Sequence, residues 1–136
     1  MMEDITMKIY KAITSNEDFM SHVDKNNINF FDHPNANEIT DVVVVIDPLD
    51  TPTPSDYADN DNLTYEYFYQ IDVFVKQKPG VNGRVLSDKL VFLLQRIMWT
   101  QLGFPETSGI NPEYNKDFNL YHQAKRFEGK QYIGDV

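Results

Sequence analysis

The sequence predicts an α+β fold, a mainly antiparallel sheet flanked by helices in the order α-β-β-β-α-β-β. Three stretches carry that prediction. Residues 42–46, VVVVI, are β-branched and apolar on both faces, the makeup of a central strand covered on both sides. Residues 64–75 alternate Thr64, Glu66, Phe68, Gln70, Asp72 and Phe74 with Tyr65, Tyr67, Tyr69, Ile71, Val73 and Val75, a period of two. Residues 82–102 set Val85, Leu86, Leu90, Leu93, Leu94, Ile97 and Met98 on one helical stripe, with Asn82 as N-cap, Gly103 at C′ and Pro105 beyond it.

The other elements follow in chain order. Ile5, Ile9, Ala12 and Ile13 have helical spacing, and a second helix start lies at Ser15 or Asn16, with Glu17 and Asp18 in its first turn. INFFDHP is a brief strand stopped by Pro34. From Pro48 to Leu63 run sixteen residues with Pro48, Pro52 and Pro54 and no strand or helix period, which reads as a long projecting loop. The alternating strand after it is long for a small sheet, so part of it is expected to project as well. KQKPGVNGR turns the chain into the long helix. FPETSGINPEYNKD reads as a second loop, and FNLYHQAKRF and KQYI as two strands joined by a turn at Glu128 and Gly129.

At 136 residues the chain is long enough for one domain, 1–136, with its own core. It has no cysteine, which removes thiolate chemistry and cysteine-ligated metals from consideration. MMEDITMKIYKAI offers no continuous apolar h-region, and no segment approaches the roughly 20 apolar residues of a membrane span, so the reading is a soluble, unexported protein. The net charge of −9 is unevenly placed. Between Asn26 and Val75 there is no Lys or Arg, yet there are Asp32, Glu38, Asp41, Asp47, Asp50, Asp56, Asp59, Asp61, Glu66 and Asp72. Such a surface repels phosphate backbones, but suits a wall that DNA slides past.

Motifs for chemistry are sparse. His22, His33 and His122 have no HExxH or HxH spacing, and no serine sits in GxSxG or SxxK. DYADNDN is rich in oxygen ligands, but an EF-hand counted from Asp56 would need Gly and Glu where Asp61 and Tyr67 stand. GVNG, beside Lys76, Lys78 and Arg84, has the GxxG of a KH loop but not its place between two helices. No catalytic residue, metal ligand or cofactor is assigned. Phe68 and Phe74 on the polar face of the long strand, with Tyr57 and Tyr65 at the loop, have instead the makeup of a contact surface.

The stretches IYKAITSNEDFMSHV, INFFDHPNANEITDVVVVIDPLDTPTPSDYADN, YEYFYQIDVFVK and YNKDFNLYHQAKRFEGKQY resemble the tail-terminator, or tail-completion, proteins of long-tailed bacteriophages (siphoviruses) of Gram-positive hosts. The likeness runs from about Met7 to Ile133. It implies the fold shared by the phage lambda tail terminator and tail-tube proteins, and a homo-hexameric ring at the head-proximal end of the tail. That ring stops tail-tube polymerisation and meets the neck or head-completion protein. The likeness further implies that DNA passes through the ring without specific binding, that no membrane is involved, and that the protein's place is the virion tail after assembly in the host cytoplasm.

A closed ring needs protomer surface beyond the core. The expectation is that the loop and projecting strand supply it through Pro48, Asp50, Pro52, Pro54, Tyr57, Tyr65 and Phe68, pairing edge to edge with a neighbour. Asp47, Asp56, Asp59, Asp61, Glu66 and Asp72 are candidates for the channel lining. Two alternatives stand beside this: a metal-dependent phage nuclease using scattered aspartates, and a small nucleic-acid-binding module around Lys76, Lys78 and Arg84.

Overall fold

The computed structural model describes residues 4–132. Among them are helices α1 (Ile5–Thr14), α2 (Glu17–Met20) and α3 (Gly83–Ile97), and strands β1 (Ile28–Phe30), β2 (Val42–Pro48), β3 (Thr53–Ala58), β4 (Asp61–Lys76), β5 (Glu106–Asn115) and β6 (Leu120–Tyr132). The sheet order is β1-β2-β4-β6-β5, with β3 also paired to β4. Only β1 and β2 run parallel; the other pairings are antiparallel. The α+β class expected from the sequence is the observed one.

The helices cover one face of the sheet. Ile5, Ile9 and Ile13 of α1, Phe19 of α2 and Leu90, Val91, Leu94 and Ile97 of α3 close a core with Val42, Val44 and Ile46 of β2 and Tyr67, Tyr69, Ile71, Val73 and Val75 of β4. The alternate residues Val43 and Val45 are buried on the opposite face beside Ile39 and Leu120. VVVVI is therefore a central strand buried on both sides, as its composition predicts. Asn16 caps α2, its Oδ1 accepting from the Phe19 N–H at 2.9 Å, so the helical region breaks where the second start signal lies.

Helix α3 begins at its Asn82 cap as expected, but its buried stripe is rotated at the start. Val85 is 49% exposed, while Gly83 and Ser87 are buried. The cause is a close approach: a methyl on Gly83 would crowd the Tyr121 ring, so the small residues of the first turns face β6 and Val85 points away. After Ile97 the helix widens into a π turn, Met98–Leu102, and stops at Gly103 with φ 72°, the left-handed C-cap.

Three expected boundaries are corrected. The segment 48–63 is not a featureless loop, because β3 pairs with β4 from Thr53 opposite Glu66 to Ala58 opposite Asp61. Asp59 and Asn60 turn the hairpin with φ of 51° and 65°, two left-handed residues in succession, which Asp and Asn tolerate. The segment after Pro105 is likewise a strand, β5, kept on the sheet edge with bulges between Glu106 and Ser108 and between Ile110 and Glu113. Finally, Glu128 and Gly129 do not turn: β6 continues through them, with Phe68 opposite Glu128 and Tyr67 opposite Gly129.

Gly129 is needed for space. A Cβ there would overlap the ring of Phe104, which is fully buried and lies against Tyr67 at a centroid separation of 6.4 Å. Gly129→Ala is expected to destabilise the fold by roughly 1–3 kcal/mol through overpacking. A urea denaturation midpoint equal to that of the native chain would show that the Phe104 ring has room to move.

Candidate functional site

The most distinctive feature is an arm. At about 3.3 Å per residue, the sixteen residues of β4 span roughly 50 Å. Strand β2 leaves its edge after Pro48, opposite Tyr69, and β3 takes its place from Thr53, opposite Glu66. On the other edge, β6 follows β4 as far as Tyr132 opposite Thr64. The outer part of the sheet is thus three strands wide and narrows to the β3–β4 hairpin. No residue of β3 is buried.

Asp56 ties the arm together. Its φ of 53° is left-handed, and its carboxylate accepts from the Thr64 hydroxyl at 2.8 Å and pairs with Lys130 of β6 at 3.1 Å. Lys130 also lies 3.8 Å from Glu66. The Thr64 hydrogen bond, and then Lys130, hold the Asp56 carboxyl below its ordinary range, and Asp56 in turn raises Lys130. The contact is exposed and therefore a modest brace, screened by water and salt.

The remaining candidate interface residues divide. Tyr57 is 69% exposed, and Pro54 and Asp50 are also exposed, with Asp50 Oδ1 accepting from the Thr51 N–H at 2.8 Å. Pro48, Pro52, Tyr65 and Phe68 are half-buried, and Tyr65 packs on the core. Pro48 and Pro52 join Ile5, Phe31, Leu49 and Tyr69 around a groove of about 450 Å³ at the root of the arm. There the Tyr69 hydroxyl meets the Thr6 hydroxyl at 2.8 Å, and burial pushes the phenol above its usual range.

The candidate channel acids also divide. Asp59 and Asp61 are exposed at the hairpin turn, Glu66 is half-buried beside Lys130, and Asp47 pairs with His33 at 3.2 Å. Asp72 is a correction. It is 2% exposed and lies on the sheet face opposite α3, where one oxygen meets His122 Nε2 at 2.7 Å and the other accepts from Gln70 Nε2 at 2.8 Å. Arg126 extends the chain, donating from Nε to Gln70 Oε1 at 3.0 Å, and Phe74 stacks on the His122 ring at 4.2 Å. Period two along β4 puts Gln70, Asp72 and Phe74 on one face, but only the β4–β6 register brings His122 and Arg126 to them.

Among the described residues no hydroxyl is hydrogen-bonded to His122 or Asp72, and no group of three or more His, Asp or Glu side chains converges as a metal site. Lys78 pairs with Asp41 at 3.4 Å and Arg84 with Asp88 at 3.6 Å, and the Lys76 ammonium donates to the Phe118 carbonyl. Those three bases therefore each face a protein group.

These features define an α+β domain whose sheet outruns its core on one side. No family model matches the chain, and no curated protein matches it. Solved structures match its fold: in one, 100% of this chain aligns with 99% of the other at a TM-score of 0.53 and 12% identity. At that identity the likeness is one of fold alone.

The buried network and the arm brace give separable expectations. Asp72→Ala strands its partners and should cost roughly 1–3 kcal/mol in chemical denaturation, whereas Asp61→Ala at the hairpin turn should cost less than about 0.5 kcal/mol. Equal losses would show that Asp72 is solvated. For Asp56, a folded pKa below the ordinary 3.8 means that its brace is present above that value and lost as pH falls through the folded pKa. An NMR titration should place the Asp56 midpoint below that of a free carboxyl and return it upward in Thr64→Val and Lys130→Ala.

Proposed function

We propose that this chain is a structural ring subunit that caps the head-proximal end of a long bacteriophage tail, stopping tube polymerisation and forming the joint to the neck. The observation that carries the reading is the arm. Its β3 contributes no buried residue, yet it presents an ordered strand edge and an exposed Tyr57. A lone protomer gains little from such a surface, whereas a subunit of a closed assembly uses it against its neighbour. The resemblance of the quoted stretches to tail-terminator proteins supports the same reading. On it, the chain is not an enzyme and takes no cofactor, and its partners are its own copies, the tail-tube protein and the neck protein.

Of the channel candidates, the exposed Asp59 and Asp61 suit a surface that DNA passes without adhering, since like charge holds a polyanion off the wall. The nucleic-acid-binding alternative has less support, because Lys76, Lys78 and Arg84 each already face a protein group.

Light scattering and electron microscopy of the protein alone and mixed with tail tubes test the proposal. The expected result is a ring seated at one tube end and an arrest of tube growth. Replacing Thr53–Asn62 with a short glycine turn should leave a folded domain, because β4 keeps its β6 ladder, and should abolish capping. Normal tube capping by that variant, or no binding of the native protein to tube ends, would overturn the reading.

A further inference from the structure

We infer that Asn82 is a site of covalent modification, where the side-chain amide closes on the Gly83 nitrogen to form a succinimide, and that Gln77 holds the folded chain back from this reaction. Asn82-Gly83 is the single Asn-Gly step of the sequence. A glycine after asparagine leaves the attacking nitrogen unhindered and its backbone free to turn, which makes this step prone to close. The fold nevertheless uses both residues. Asn82 caps α3, its Oδ1 accepting from the Val85 N–H at 3.2 Å. A Cβ on Gly83 would stand 2.8 Å from Gln77 Oε1 and 2.9 Å from the Tyr121 ring, so a side chain there displaces one or both. The site is independent of the ring-forming reading.

The only co-reactant is water. The Gly83 nitrogen gives up its proton to solvent base and attacks Cγ of Asn82; the Cγ–Nδ2 bond breaks, and ammonia leaves with a proton taken back from solvent. Water then opens the ring at one of its two carbonyls. Attack at Cγ restores the original peptide bond and leaves aspartate at position 82. Attack at the main-chain carbonyl breaks that bond and leaves isoaspartate, with the chain running through the side-chain carbon. Either product adds one negative charge to the net −9. Aspartate still offers a capping oxygen, whereas isoaspartate lengthens the backbone between the cap and Gly83 and unseats the first turn of α3.

The folded turn opposes the first step. Gly83 is buried, and its N–H donates to Gln77 Oε1 at 2.9 Å, so the proton that must leave is held by a protein acceptor and shielded from solvent base. Gln77 is itself fixed: its Nε2 donates to the Lys78 carbonyl at 3.0 Å and to the Val81 carbonyl, and its backbone N–H donates to the Asn119 carbonyl at 2.8 Å. The Asn82 amide is turned toward Val85 by its capping bond. Closure takes both the Gln77 and the Val85 hydrogen bonds apart. It therefore proceeds through local opening of the turn at residues 77–83, and the extent of modification records how often that turn opens.

The test is to incubate the native chain, folded and in urea, and the Gln77→Ala variant in mildly alkaline buffer, and to read aspartate and isoaspartate at position 82 by peptide mapping with mass spectrometry. Asn82→Ser, which keeps a capping oxygen and has no amide, supplies the background. The folded native chain should be modified far more slowly than the same chain in urea, and Gln77→Ala roughly five- to tenfold faster than the folded native chain, the effect of losing one guarding hydrogen bond. Thermal melting checks that the variant folds. A folded native chain modified as fast as in urea, or a folded Gln77→Ala modified no faster than the native chain, overturns the inference. Where Gln77→Ala does not fold, hydrogen exchange of the native chain decides: the Gly83 amide proton should exchange at a small fraction of its rate in urea, and exchange at an unprotected rate overturns the inference.

Discussion

The ladder between β4 and β6 runs without a register break from Thr64 opposite Tyr132 to Lys76 opposite Leu120, and each distinctive feature of the molecule is hung on it. Its inner half is the floor on which α1 and α3 pack. Its outer half leaves the helices behind and becomes the arm. An exposed two-stranded ribbon is marginal in water, and β3 has no buried residue to hold it. The third strand supplied by β6, with Lys130 reaching Asp56 across β4, turns a marginal hairpin into a continuation of the core sheet. An uninterrupted β6 requires Gly129, because any side chain there would displace Phe104 from the core.

The register also explains the second face. Helices cover only one side of the sheet, so the other side must limit its exposed apolar area by other means. Val43 and Val45 are covered by Ile39 and Leu120, and farther along β4 the row turns polar. Gln70, Asp72, His122 and Arg126 satisfy one another there, and no described buried side-chain polar atom is left without a partner. A closed polar network of this kind fixes the alignment of β4 against β6, because slipping by one residue would separate every member.

The parts legible in the sequence are those where burial dictates residue type. Ile9 and Ile13, the VVVVI run, and Leu90, Leu94 and Ile97 are near zero in exposure, and their periods of 3.6 or 2 announce the elements that hold them. β3 and β5 were hidden for the opposite reason. Nearly every residue on them is exposed, so no alternation is imposed, and ladder hydrogen bonds and turn geometry alone decide that they are strands. Gly129 misled because glycine serves both turns and close approaches, and sequence does not distinguish them. The acid excess was legible as a total, but the division between the exposed Asp59 and Asp61 and the buried Asp72 depends on which face each occupies. The spacing of the α3 stripe implies a wholly inward face, and Val85 departs from it because Gly83 and Ser87 take the place against β6.

Net charge then constrains how copies of such a chain meet. At −9, two chains repel as whole bodies, and an association in which each presents the same patch to the other would set arm against arm, acid against acid. Segregation of charge removes that obstacle only for unlike patches. On the helix layer, bases and acids meet within the chain, Lys89 with Asp18 and Arg84 with Asp88, while Asp50, Asp59 and Asp61 stay exposed on the arm, so the least favourable contact is the one that sets arm against arm. The same uneven placement of charge that makes the chain look merely acidic in composition therefore gathers its exposed acids on the arm, apart from the helix layer where Asp18 and Asp88 are matched by Lys89 and Arg84.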